Sequence, residues 1–163
     1  MAESEFAQVR DYLEAASNNP LTSRGLLLHD NELYFMYLDL AGLQRDEAAL
    51  LKYLPLVEET AVRDGHILHQ ANAHRARGVL HRLQGEYSAA KTRLNRALAL
   101  FEELDTRWQI GRTLFELAEL NRIIEDTTEA QDYFSRALVA FEEMGAVPDM
   151  ARTQAALESF SRI

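Results

Sequence analysis

Residues 85–104, GEYSAAKTRLNRALALFEEL, align without a gap with residues 125–144, EDTTEAQDYFSRALVAFEEM, forty residues later. Within each copy the apolar residues fall at helical spacing. In the first copy Tyr87, Ala90, Leu94, Ala97, Leu98, Phe101 and Leu104 form one apolar stripe, and in the second Ala130, Phe134, Ala137, Leu138, Phe141 and Met144 do the same. Each copy therefore reads as one amphipathic helix of about five turns. A fixed period of this size signals stacked supersecondary units, because one unit alone cannot bury its apolar face. Glu102 and Glu103 sit at the solvated end of the first copy, so the duplication marks packing rather than an acid–base pair.

Working outward, EAALLKYLPLVEETAVRDG (47–65) is a looser third version, with Ala49, Tyr53, Leu56 and Val57 on its buried stripe. Pro55 inside it is expected to kink or shorten that helix. Between these B helices lie A helices at 26–44, 66–84, 108–126 and 148–163. Turn signals separate them at Gln44-Arg45-Asp46, Asp64-Gly65, Gln84-Gly85-Glu86, Asp105-Thr106 and Gly145 with Pro148. A further helix over 3–17 presents Phe6, Val9, Leu13 and Ala16 on one side, and the breaker-rich SNNPLTSRG (17–25) reads as a linker. The expected organisation is an N-terminal helix and linker, 1–25, followed by a helical repeat domain, 26–163.

Composition agrees with an all-α chain: 163 residues carry only three prolines and seven glycines. The absence of cysteine excludes disulfides, thiolate metal sites and a cysteine nucleophile. No signal-peptide core or membrane-length apolar run occurs, which places the expectation in the cytoplasm. A net charge of −9 argues against general binding to nucleic acid or anionic membranes.

The run Gly78, Gly85-Glu86-Tyr87, Ala90, Leu94 and Ala97 resembles the tetratricopeptide repeat, over about residues 26–163. The resemblance implies a right-handed, antiparallel helix-pair array, an α-solenoid of about three pairs with an N-terminal helix and a C-terminal closing helix. Small residues there let paired helices approach. The copy at 125–144 departs from the pattern, with Glu125 and Thr127 in place of Gly85 and Tyr87, so its turn is expected to pack less tightly. The forty-residue period and the LFEELDTRWQIGRT connection are similar to the extended repeats in the tails of bacterial adenylate/guanylate cyclases and MalT- or LuxR-type regulators. The chain is then either a whole protein or a part of a larger signalling or transcription regulator, and the open-ended last helix favours the part. Some tetratricopeptide domains clamp a peptide's terminal carboxylate; Arg112 stands where a clamp cation belongs, but Leu38, Ala76 and Glu116 replace other clamp positions.

No phosphate loop, GxGxxG, HExxH, GxSxG or EF-hand pattern is present, so neither an enzyme nor a cofactor is expected. His66 and His69 lie three apart and could share a metal, but one helix cannot gather His66 through His81, and no metal site is expected. His74, Arg77 and His81 occupy a seam where the neighbouring A helices are mostly apolar. Either they form a satisfied cluster with Glu58, Glu59 or Glu116, or they act as a protonation switch.

The polar face of the A helices is the candidate binding surface, because stacked helical arrays present a concave face to ligands. The repeat places Asn72, Arg75, Val79 and Arg82 there from one helix, Arg112, Phe115, Glu119 and Arg122 from the next, and Arg152 and Arg162 from the last. Asn31 and Tyr34 flank it from the first. Arginine in such a groove suits carboxylates. The alternative is an ordinary solvated face with pairs such as Glu119 with Arg122 or Arg112 with Glu116. The expected function is a non-catalytic protein-interaction or scaffold module that receives an acidic peptide, a helix or a neighbouring domain. The runner-up is a homodimer formed through the terminal helices, with Met150, Leu157, Phe160 and Ile163 on the closing edge.

Overall fold

A computed structural model describes residues 2–17 and 30–160, with side chains described for residues 7–9, 11–15 and 32–160. Among the described residues every regular element is a helix: α1 Ala2–Ser17, α2 Asp30–Gln44, α3 Glu47–Arg63, α4 Ile67–Leu83, α5 Tyr87–Glu103, α6 Arg107–Ile123, α7 Thr127–Met144 and α8 Val147–Phe160. The linker assigned to 17–25 lies outside the described residues beyond Ser17, as do the side chain of Phe6 and the C-terminal Ile163.

The forty-residue period is built from two twenty-residue halves that share one turn. Arg45, Gly65, Gly85, Asp105, Glu125 and Gly145, spaced by twenty, all adopt left-handed backbone, with φ between 49° and 77°. At each turn the next amide bonds back to the carbonyl five residues earlier: Asp46 to Ala41, His66 to Ala61, Glu86 to His81, Thr106 to Phe101, Asp126 to Asn121 and Ala146 to Phe141. This pattern ties off carbonyls that a helix end would otherwise leave unpaired. It also reverses the chain in three residues, so consecutive helices run antiparallel. Glu125 holds the same conformation as Gly85 and closes the same bond, so the copy at 125–144 keeps the turn of the copy at 85–104 despite its different residues. Asp46 and Asp126 cap the helices that follow, accepting from the amides of Ala49 and Glu129 at 3.0 and 3.1 Å.

Helix pairing follows from close approach. A methyl group on Gly78 would lie 2.6 Å from Leu94 Cγ, and one on Gly111 would lie 2.8 Å from Phe141 Cε1. These glycines set α4 against α5 and α6 against α7. The apolar stripes of the two echoed B helices close the core, where Leu94, Phe101, Phe134 and Phe141 are fully buried. Each contributes about 1.5–3 kcal/mol by burial. Pro55 does not shorten α3, which is as long as α4. It lies on the exposed face, where water can satisfy the carbonyl left without a donor, while Leu50, Leu54, Val57 and Ala61 anchor the inner side.

α1 packs on α2 through Leu13, which is clustered with Leu33 and Leu40. At the other end Met150, Leu157 and Phe160 of α8 are partly buried against the α6–α7 core rather than presented as an open apolar edge. The outer side of α8 carries the exposed Gln154, Glu158 and Ser159. The A helices α2 and α4, and α4 and α6, touch one another directly, whereas their B partners are not in comparable contact. The array therefore draws its A helices together on one side, the inner face.

Candidate functional site

The inner face is where the forty-residue register accumulates arginine. Arg75 and Arg82 come from α4, Arg112 and Arg122 from α6, Arg152 from α8, and Arg45 from the turn after α2. Arg75, Arg82 and Arg112 are each about 5% exposed, which fixes their chemistry. A buried guanidinium must find carboxylates or other acceptors, because desolvation otherwise makes it prohibitive.

The central acceptor is Asp39 of α2. Its Oδ1 accepts from Arg75 Nη2 at 2.9 Å and its Oδ2 from Arg112 Nη1 at 2.8 Å. Burial alone would push the Asp39 carboxyl up, but the charges and hydrogen bonds of Arg112 and Arg75 outweigh it and hold the group below the usual carboxylate range. Arg75 has further partners: it donates to Asn72 Oδ1 at 2.6 Å and to the side chain of Gln109, and stacks 5.2 Å from the Phe101 ring. Its burial, then the charge of Arg112, lower its pKa to about 9, against the pull of Asp39, so it stays charged at neutral pH. Arg112 lies 4.6 Å over the ring of Trp108, whose Nε1 donates to Asp149 at 3.0 Å.

A second knot gathers on α6. Arg82 donates to Glu116 through Nη2, and Glu119 Oε2 is approached by Arg122 at 2.9 Å, Arg45 at 3.4 Å and Arg82 at 4.0 Å. Arg82 Nε has no partner, because Glu116 meets this guanidinium through a single oxygen. Arg152 pairs with Asp149 at 3.3 Å and stacks 4.0 Å over Phe115. A gap of about 20 Å³ lies among Asp39, Asn72, Arg75, Arg112, Glu116 and Arg152, room for about one water molecule.

The sequence-derived residues thus separate into distinct environments. Asn72, Arg75, Arg82, Arg112, Phe115 and Glu119 are buried on the inner face and already partnered within the chain. Arg122 and Arg152, with side chains 49% and 40% exposed, keep open solvent contact. Tyr34 is displaced from this group: it packs beside Tyr53 on the α2–α3 side, with ring centroids 6.4 Å apart. The side chain of Asn31, and Arg162, lie outside the described residues. The pair Glu119–Arg122 forms as anticipated, but Arg112 reaches across to Asp39 and Glu116 takes Arg82 instead.

Asp39 is the residue sequence reasoning missed. Stepping back forty residues from Val79, or eighty from Glu119, lands on it, so the same period that found the arginines places a carboxylate among them. Tyr34 and Asn31 do not share that register.

The His74–Arg77–His81 seam resolves as a set of separate pairs at the half-buried edge of α4. Arg77 donates to both oxygens of Glu58, one of the anticipated partners, with Nε to Oε1 at 3.1 Å. His81 pairs with Glu86, and His74 Nδ1 accepts from Arg93 at 3.2 Å. Burial, then Arg93 and Arg96, lower the His74 pKa. Among the described residues no group of three or more histidines and carboxylates is arranged to hold a metal ion, and no helix is long and apolar enough to cross a membrane.

Residues 69–143, from the first turn of α4 into the last turn of α7, match the family model of the tetratricopeptide repeat. No curated protein matches the chain.

Proposed function

We propose that this chain, whose residues 69–143 are a tetratricopeptide-repeat array, binds a partner protein by an acidic segment laid along the inner face of its A helices. Tetratricopeptide repeats mediate protein–protein interaction and scaffolding, and are typically non-catalytic. The observation that carries the finer reading is the charge of that face. Arg45, Arg75, Arg82, Arg112, Arg122 and Arg152 outnumber Asp39, Glu116, Glu119 and Asp149, in a chain of net charge −9. An excess of guanidinium concentrated on one face of an acidic protein favours carboxylates locally while the rest of the surface repels them.

Exposure divides the labour. Arg122 and Arg152 are solvent-facing and make the first contacts, whereas Arg75, Arg82 and Arg112 hold the face in shape. The Arg152 guanidinium sits 4.0 Å over the Phe115 ring, which fixes its direction at little further entropic cost. The test is calorimetric titration of a hexaglutamate peptide into the wild type and an Arg122→Ala/Arg152→Ala variant. Both changes are at solvent-exposed side chains, so helix content should be retained. Affinity should fall at least tenfold in the variant and weaken with salt; equal affinity in the two proteins would remove the inner face as the site.

A further inference from the structure

Two ion pairs span the inner face from α2 to α6, passing over α4: Asp39 with Arg112, and Arg45 with Glu119. Residues 73 and 74 apart in sequence are thereby tied together, and the space beneath holds about one water.

The two sides of the Asp39 clasp are unequal. Arg75 keeps Asn72, Gln109 and the Phe101 ring, and Arg112 keeps the Trp108 ring, whether or not Asp39 is present. The cationic half is pre-set by its own helices. Asp39, by contrast, is 22% exposed at its side chain, and among the described residues these two guanidiniums are its only hydrogen-bond partners. An anion added beside Asp39 would meet a like charge. A carboxylate that takes the place of Asp39 faces no more negative charge than Asp39 itself does, and inherits the same donors in the same positions, so the exchange leaves no buried charge unpaired.

We propose that Asp39 is an internal stand-in for a partner's carboxylate: an aspartate or glutamate of the bound segment displaces it from between Arg75 and Arg112, and α2 is released from α6. This rests on the reading of the inner face as the site for an acidic segment, and adds how that segment enters. Arg45 and Glu119 form the second clasp, which opens with the first because both hang on α2. Affinity for acidic segments is thus limited by the chain's own competitor.

Hexaglutamate titration of Asp39→Ala and Asp39→Asn, against the wild type, tests the substitution. Removal of the competitor should tighten binding at least tenfold in the alanine variant and in the same direction in the isosteric asparagine variant. Unchanged or weaker affinity in a folded Asp39 variant, with wild-type binding intact, overturns the stand-in role but leaves the site. Absence of binding in every protein overturns both. A second measurement needs no change at Asp39. The chain has no cysteine, so spin labels at Met36→Cys and Ile123→Cys, both exposed positions, report on α2 and α6 alone. The label distance should lengthen when hexaglutamate saturates the protein, and an unchanged distance at saturation overturns the release of α2.

Discussion

Gly78 offers the sharpest check on how the repeat packs. Replacing it with alanine should gain about 1 kcal/mol of helix propensity in an ordinary helix interior. Here the new methyl would stand 2.6 Å from Leu94 Cγ, 2.8 Å from Cδ2 and 3.2 Å from the Leu94 amide nitrogen. Leu94 is fully buried and cannot swing aside, so overpacking of about 1–3 kcal/mol applies, at its upper end. The expected net loss is about 1–2 kcal/mol, or roughly 2–8 °C in Tm for a chain of this size. Leu94→Ala alone should cost about 2–5 kcal/mol. In that background the two side-chain clashes vanish and only the contact with the amide nitrogen remains, so Gly78→Ala should become stabilising, by up to about 1 kcal/mol. Urea unfolding of all four proteins, followed by circular dichroism, measures the cycle. The same sign for Gly78→Ala in both backgrounds would refute the close-approach argument.

Other outcomes follow from the turns and the titrating groups. Glu125→Gly removes a side chain from left-handed backbone and should stabilise by about 1 kcal/mol in urea unfolding, while loss of stability would count against the shared-turn account. Burial first, then the charge of His66, lowers the pKa of His69, and the fold thus prefers its neutral form. A group with a depressed folded pKa stabilises above its unfolded value and loses that contribution as pH falls. Stability should therefore decline as pH drops below about 6.5, and His69→Phe, which keeps a ring against Phe35, should flatten the slope between pH 7.5 and 5.5. A variant with the wild-type slope would assign that dependence elsewhere. Asp39 follows the same sign at lower pH: its depressed carboxyl stabilises above about pH 4 and is lost on acidification below it, so Asp39→Asn should be less stable at neutral pH and have a shallower acid limb. An acid limb as steep as that of the wild type would contradict the pairing with Arg75 and Arg112.

The fold was legible wherever periodicity was dense. Leu94, Phe101, Phe134 and Phe141 follow from the echo of 85–104 in 125–144, and the structure buries all four. What periodicity concealed was the finer period of twenty, because the six left-handed turn positions carry arginine, aspartate and glutamate as well as the expected glycine. Glu125 gives no turn signal by residue type; only its place twenty residues from Asp105 and Gly145 reveals it. On the inner face the register located Arg75, Arg82, Arg112, Arg122 and Arg152, but spacing along the chain does not tell a solvated arginine from a buried one. Arg82 and Arg122 occupy equivalent positions, yet Arg82 lies on the central α4, flanked by two A helices, and Arg122 opens to water. The period reaches Asp39, but its pairing across the face with Arg112, and that of Arg45 with Glu119, were out of reach for the same reason. Their contacts depend on how closely α2 and α6 converge, which no local pattern encodes.

The claim that an acidic segment is read on the inner face is tested most directly by following the arginine Nε–H resonances of the labelled protein by NMR during titration with hexaglutamate. Arg112, Arg122 and Arg152 should shift together and saturate, with Arg93, Arg96 and Arg136 of the B helices unmoved. Shifts confined to the B-helix arginines, or no saturable shift in either group, would contradict the account.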